Sequence, residues 1–528
     1  MTVSDLSFWG WGYESKLPTD DERERLAEMA ETYLGFPERP LLDLPTLDDA
    51  DIPVSGVEPP LGFCTTDDAE RAKHTYGKGY RDLVRGFRGE FSTAPDAVAH
   101  PECEDDIADL LGWASRENVA VVPFGGGTSV VGGVECGGAG YAGVVSLDTR
   151  ALDEVLEVDD VSRSARIQAG ATGPRLQEQL GEYGLQLRHY PQSYEFSTLG
   201  GWLATHAGGH FATVYTHIDD FVEGVRMVTP SGTVGTRRLP RSGAGPYADG
   251  LLLGSEGAFG VFTEAWMRVQ PRPDHRAKAT VGFEEFGDGV EAARRIAQAR
   301  LYPANCRLLD RNEATLNRVA ATNVLVLGFE STDSPVEGDL DRAVKIAEGC
   351  GGELRDRSVG GDDGTDTEGD WRDSFFEAPY RFNGLVSVGV LAETFETSVT
   401  WEGFGDLHDA VRREVVGTAE DVCGDGFLSC RFTHVYEDGP APYYTVLAPV
   451  EPGEELGAWR AIKTAASDVL DEHGAATTHH HAVGRVHKDW YRRETSAGVR
   501  DALRSAKDAL DPECIMNPGV LLGSEGGV

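Results

Sequence analysis

No two cysteines stand in a CxxC pair, and the nearest two, Cys423 and Cys430, fit no zinc-ligand spacing. That excludes a zinc ribbon or a thioredoxin-type centre, and the eight cysteines read as reduced, mostly buried thiols. No stretch approaches the about 20 apolar residues that span a bilayer. Met1-Thr2-Val3-Ser4-Asp5 has no basic region leading into an apolar run, so neither a membrane span nor a signal peptide is expected, and the expected location is cytoplasmic. Lysine is scarce, and arginine carries most of the positive charge. With 88 acidic against 48 basic residues the formal net charge is -40. Such a surface repels nucleic acid and anionic lipid, so neither is an expected partner. The acid is spread along the chain rather than gathered in a tail, which reads as solvation for high salt, a halophilic trait.

What is present is a long chain of ordinary apolar content. Its 528 residues exceed one ordinary core and predict more than one domain. Residues 20–35 read as a helix with an acidic start, Leu26, Met29, Ala30 and Tyr33 on one face, and Gly35 as its stop. A proline-rich loop follows. Beyond Pro101 come a helix (IADLLGWASREN), a strand from Val119 to Pro123, a glycine loop and a strand from Gly143 to Asp148. Short strand units (SARIQAG, VEGVRMVTPSGTV, FGVFTEAWMRVQP) continue the pattern. From Ala277 strands alternate with amphipathic helices in a βαβ pattern, which marks a second domain. Residues 356–370 are polar, acidic and glycine-rich and read as a solvated loop.

Four segments carry chemistry. Pro123-Phe124-Gly125-Gly126-Gly127-Thr128-Ser129 takes a strand into three glycines and two hydroxyls, a place where backbone N–H groups can approach a phosphate. The segment from Pro191 and Ser193 through Ser197, Thr198, Gly200, Gly201, Ala204 and Thr205 offers small residues to a large planar ligand. Gly254-Ser255-Glu256-Gly257 leads to Gly260 and Val261, and the chain closes on Asn517-Pro518-Gly519. Singly, each is explained as well by a tight turn.

Their order resembles the FAD-linked oxidases of the vanillyl-alcohol-oxidase class. That resemblance implies an α+β fold: a two-subdomain PCMH-type FAD-binding domain with an α/β cap built on an antiparallel sheet. It divides the chain into an N-terminal helical lead (1–90), the FAD domain (91–273), the substrate cap (274–485) and a C-terminal segment returning to the FAD domain (486–528). It also implies that the first loop cradles the pyrophosphate, and that the next two segments flank ribose and isoalloxazine. Covalent members often carry histidine after the glycines. Thr128 stands there, so non-covalent FAD is expected.

Within the class the chain resembles the alkyldihydroxyacetonephosphate synthase family. The similar stretches are Trp9-Gly10-Trp11-Gly12-Tyr13, Tyr76 through Asp82, Cys306-Arg307-Leu308-Leu309-Asp310, Cys430-Arg431-Phe432-Thr433 and Thr478-His479-His480-His481. The resemblance implies catalytic roles for Tyr443, His480, His481, His189, Arg307 and Arg431, with no metal. Arginines suit a phosphorylated ketone ester, and histidine with tyrosine suits acid–base work. Three adjacent histidines cannot share one face of a strand, so an outer pair or His480 alone is expected to face the flavin. Against this stand the usual fates of such residues, a surface ion pair for the arginines and an adventitious metal site for the histidines. The expected partner is a small anionic substrate, and a homodimer is compatible with the reading. The alternative is a D-2-hydroxyacid dehydrogenase. Its metal motif is rewritten here: His434 is kept, but Tyr443 and His480 replace the other expected ligands.

Overall fold

The computed structural model describes residues 6–360 and 379–522. The first helix, Asp20–Leu34, begins with a capping box in which Thr19 and Glu22 satisfy each other's free backbone donors, and it ends at Gly35 in the left-handed region. Such a cap contributes about 1 kcal/mol. Its apolar stripe meets Leu385 and Val388 through Ala30 and Leu26. Tyr33, read from the sequence as part of that stripe, is instead 77% exposed.

Two sheets carry the glycine segments. In the first, Ala97–Ala99, Gly143–Asp148 and Val119–Phe124 run parallel, with the short strand Cys64–Thr65 antiparallel at the edge. Helix Glu104–Glu117 carries the chain from Ala97–Ala99 past the place of Gly143–Asp148 to Val119–Phe124, and residues 125–142 make the crossover between the paired strands Val119–Phe124 and Gly143–Asp148. The chain returns to this sheet near its end, where Met516 bridges Val121 and the Val121 N–H donates to the Ile515 carbonyl. The second sheet has five antiparallel strands, Val155–Asp159, Ser164–Gln168, Val261–Arg268, Val222–Thr229 and Gly232–Gly235. Helix Leu199–Thr205 packs against it through Leu199, Trp202 and Leu203.

The third sheet has seven strands, in the order Glu353–Val359, His275–Phe283, Asn323–Ser331, Asn305–Leu309, Phe427–Val435, Pro440–Pro449 and Val390–Glu396. Every pairing is antiparallel despite the strand–helix–strand order. Each crossover helix skips one place, and a strand of opposite direction fills the gap. Helices Phe286–Gln298 and Glu337–Glu348 cover one end of one face, and Trp401–Cys423 with Glu455–Glu472 cover the other. On the opposite face the first helix covers Val390, Ala392 and Leu447, helix Arg311–Leu316 covers Leu309, Val324 and Val326, and the ground between is left for the site. Residues 356–359 belong to the edge strand rather than to the expected loop, because the strand pairs with His275–Phe283 as far as Val359. The rest of that expected loop, 361–370, lies outside the described residues.

Candidate active site

Strand register aligns the polar side chains. Leu309 pairs with Arg431, Arg431 with Tyr443, and Tyr443 with Glu396. Directly paired residues share a face, so Arg431, Tyr443 and Glu396 form one row across three strands. Their neighbours Cys430, Tyr444 and Phe395 alternate into the helix-covered core. A bulge between Phe432 and His434 breaks this alternation, and Thr433 and His434 both reach the cavity.

That cavity, about 200 Å³, lies between the row and the glycine segments. Arg307, Arg431, Tyr443, His480 and His481 line one side, and Gly125–Ser129, Pro191, Ser193, Ser197, Thr198, Gly201 and Thr205 line the other. An adjoining space of about 90 Å³ takes in Pro123, Gly200, Ala204, Glu256, Gly260 and Val261. Gly125, Ser129, Gly201 and Thr205 border both. The glycines have a second task that the sequence did not reveal. A Cβ on Gly126 would stand 2.1 Å from the Phe196 carbonyl oxygen, and one on Gly125 would stand 2.3 Å from Thr198 Oγ1. The first loop is thus seated directly on the second segment.

The residues fit FAD. A long two-part cleft walled by backbone and small side chains suits a dinucleotide, and Lys78 lines it beside Gly126–Thr128. Burial pushes the Lys78 ammonium down to about 8, a strain that an anionic pyrophosphate would relieve. Lys78 and Trp11 belong to stretches that carried the family resemblance, yet nothing in the sequence assigned them to the cavity. Their flanking glycines were the available signal.

Two expected residues are not brought to the cavity. His189 is fully buried against Trp202 and Phe221, and burial drives its imidazole down to about 3. It lies behind Gly209, where a Cβ would stand 3.1 Å from its Nδ1. Asn517 is a tie rather than a lining group. Its amide donates to the Gly133 carbonyl at 2.8 Å and the Glu256 carbonyl at 2.7 Å, which uses both of its N–H bonds. Glu256 itself accepts the Val483 N–H at 2.9 Å and the Gly484 N–H at 2.6 Å, so it fastens the segment after the histidines to the flavin cleft.

The triple histidine is not on a strand, so the alternation argument does not apply. It wraps around the buried Glu396 carboxylate. Glu396 accepts the backbone N–H groups of His479, of His480 (3.2 Å) and of His481 (2.8 Å), and the Thr478 hydroxyl at 2.6 Å. His480 and His481 consequently face the cavity, while His479 turns toward His434, His217 and Tyr436. Burial pushes the His480 imidazole down to about 3 and that of His481 to about 4. Both are neutral near pH 7. A second carboxylate holds Arg431: Glu313 accepts its Nη1 at 2.5 Å and the Ser429 hydroxyl at 2.5 Å. The Arg431 guanidinium lies 3.8 Å from the Tyr443 ring centroid. Burial raises the Tyr443 phenol, with Arg431 opposing, so it stays protonated. Arg307 donates to the His210 carbonyl at 2.7 Å. Sequence reasoning missed Glu396 and Glu313, which look like any other acid in so acidic a chain.

Ligand atoms of His434, His479 and His480 lie within 4.8 Å of one another, as do those of Glu396, His480 and His481, so either group could hold a metal ion. His434 Nε2 stands 3.1 Å from the Gly209 carbonyl oxygen, which can only accept, so that nitrogen carries a proton and Nδ1 is the one left to ligate. Glu396 already accepts three hydrogen bonds on Oε1 and one on Oε2.

Residues 95–236 match the FAD binding domain family, and residues 272–521 match the C-terminal domain of FAD linked oxidases. The alkyldihydroxyacetonephosphate synthase of Trypanosoma brucei brucei is 31% identical over 483 residues, covering 86% of this chain and 77% of that one. A glycolate oxidase subunit of Bacillus subtilis is 24% identical over 455 residues, covering 83% and 91%. A solved alkyldihydroxyacetonephosphate synthase superposes with a TM-score of 0.81 at 25% identity over 98% of this chain and 99% of that one. p-Cresol methylhydroxylase shares the fold at a TM-score of 0.68 and 13% identity, covering 88% and 95%. The chain therefore belongs to the FAD-linked oxidases, in the alkyldihydroxyacetonephosphate synthase family, and is an FAD-dependent enzyme with a PCMH-type α+β fold.

Proposed function

We propose that this enzyme exchanges the acyl group of an acylated ketone phosphate for a fatty alcohol. The observation that carries the reading is the convergence of two arginines, a tyrosine and two neutral histidines on the cleft formed by the glycine segments. Held along the glycine segments and Lys78, FAD would supply an electron-poor N5 to the reaction. Arg431 is held from behind by Glu313 and Arg307 by the His210 carbonyl, so both cations are oriented for a phosphate or a polarised carbonyl. The ester C–O bond breaks and a carboxylate leaves. The alcohol oxygen bonds to the same carbon and gives up its proton. The exchange has no net redox change. His480, bare at one ring nitrogen, takes that proton, and the protonated Tyr443 donates where negative charge develops.

The arrangement of His434, His479 and His480 favours a second reading, a metal-assisted 2-hydroxyacid dehydrogenase. Anaerobic incubation separates the two. Exchange of acyl for labelled alcohol on a ketone phosphate, with flavin absorbance unbleached by 2-hydroxyacids and activity indifferent to EDTA, is the expected result. Bleaching by a 2-hydroxyacid, abolished by EDTA and restored by zinc or manganese, would replace the exchange reading with the dehydrogenase.

A further inference from the structure

We propose that Tyr436, His479 and His480 form a two-position proton relay that sets whether the cavity-facing nitrogen of His480 is an acid or a base. The inference rests on reading His480 as an acid–base group, and adds the path that serves it.

The geometry is a chain of ring atoms. The Tyr436 hydroxyl is 2.8 Å from His479 Nε2, and His479 Nδ1 is 3.2 Å from His480 Nδ1. The other nitrogen of His480, Nε2, is left for the cavity that this ring lines. Burial keeps the imidazoles of His479 and His480 well down, so each ring carries one proton. A contact between two nitrogens then admits only two arrangements. In the base arrangement His480 Nδ1–H donates to His479 Nδ1, His479 Nε2–H donates to the phenol oxygen, and His480 Nε2 is bare. In the acid arrangement the Tyr436 hydroxyl donates to His479 Nε2, His479 Nδ1–H donates to His480 Nδ1, and His480 Nε2 carries the proton.

At the outer end His217 Nε2 lies 3.0 Å from the His479 carbonyl oxygen, His217 Nδ1 lies 3.2 Å from the Thr216 hydroxyl, and the Thr216 side chain neighbours the Tyr436 phenol. In the base arrangement the phenol accepts from His479 and its own proton is turned away from that ring. Tyr436 is only partly buried, with Asp219, Asp220 and Asp438 nearby, so a proton delivered there reaches water. One transfer balances: the alcohol proton goes to His480 Nε2, Nδ1–H passes to His479 Nδ1, Nε2–H passes to the Tyr436 oxygen, and the phenol proton leaves to water. Each group gains one proton and loses one. The cavity thus sheds a proton without opening to solvent, and the reverse order returns one.

The test uses the FAD-loaded enzyme with 15N-labelled histidine, whose ring resonances report tautomers directly. Tyr436→Phe removes one oxygen and should change the tautomer ratios of His479 and His480 together, with His408 and His473 unmoved. In the exchange assay Tyr436→Phe should lose about ten-fold or more in turnover, gain a solvent isotope effect, and recover in part with imidazole buffer. A His480 ratio indifferent to Tyr436→Phe would overturn the relay. So would shifted tautomers with parental turnover. A parent enzyme inactive on acylated ketone phosphates would refute the exchange reading alone, because the tautomer measurement needs no substrate.

Discussion

Replacing Glu396 by glutamine tests the architecture of the site with a single-atom change. The carboxylate takes four hydrogen bonds, three on Oε1 (Thr478 Oγ1, His480 N and His481 N) and one on Oε2, from His479 N. Glutamine keeps the three if its oxygen replaces Oε1, but then its amide hydrogens face the His479 N–H, donor against donor. An unsatisfied buried N–H costs about 1–3 kcal/mol, and three bonds that change from charge-assisted to neutral lose roughly 1 kcal/mol each. The amide is cheaper to desolvate than the carboxylate, which offsets part of this. The net expectation is a loss of about 2–4 kcal/mol. His480 and His481 hang from the same carboxylate, so turnover should fall on the order of 100-fold, the usual loss when an acid–base group is misplaced. The assay is the urea midpoint followed by far-ultraviolet circular dichroism at fixed salt, with turnover and flavin content measured on the same preparation. Flavin content should hold, because the glycine segments are untouched. A Glu396→Gln enzyme with the parent's urea midpoint and turnover would refute the claim that this carboxylate organises the histidines.

Gly126→Val should yield colourless protein, since its Cβ meets the Phe196 carbonyl at 2.1 Å and must separate the two flavin segments; stoichiometric flavin in the purified variant would count against it. Acid precipitation of the parent should release the flavin into the supernatant, as Thr128 in place of histidine implies. Acid should destabilise the fold unusually early. His189, His480 and His487 are lowered by burial to about 3, and His408 and His481 to about 4, so the unfolded chain binds more protons than the folded one below the ordinary 6.5. Stability is fully present above pH 6.5 and is lost as pH falls, by up to about 1.4 kcal/mol per unit for each histidine; a melting temperature flat between pH 7 and 5 would contradict this. With net charge -40 the melting temperature should rise through molar KCl, and maximal stability in dilute buffer would sink the halophilic reading.

Elements with a strong local cause were legible in the sequence. The strand Gly143–Asp148 and the helix ending at Gly35 agree with the reading because apolar periodicity and a left-handed stop act over a few residues. The glycine triplet was legible as a place of close approach, but not as the seat for Phe196 and Thr198, since what it approaches is remote in sequence. The antiparallel pairing of a strand–helix–strand series was likewise beyond local pattern, because strand order depends on which strand fills each gap.

Arg431 and Tyr443 were found by resemblance, and their mutual stacking follows from strand register. Glu396, Glu313 and Tyr436 carried no such mark. A carboxylate becomes the organiser of a histidine turn only when folding removes water from it and brings backbone donors from far along the chain to the same two oxygens. Residue types and their order thus determined the cofactor and the family. Which histidine faces the cavity, and which acid holds it there, was decided by tertiary packing, because desolvated hydrogen bonds depend on distance in space and not on spacing in the chain.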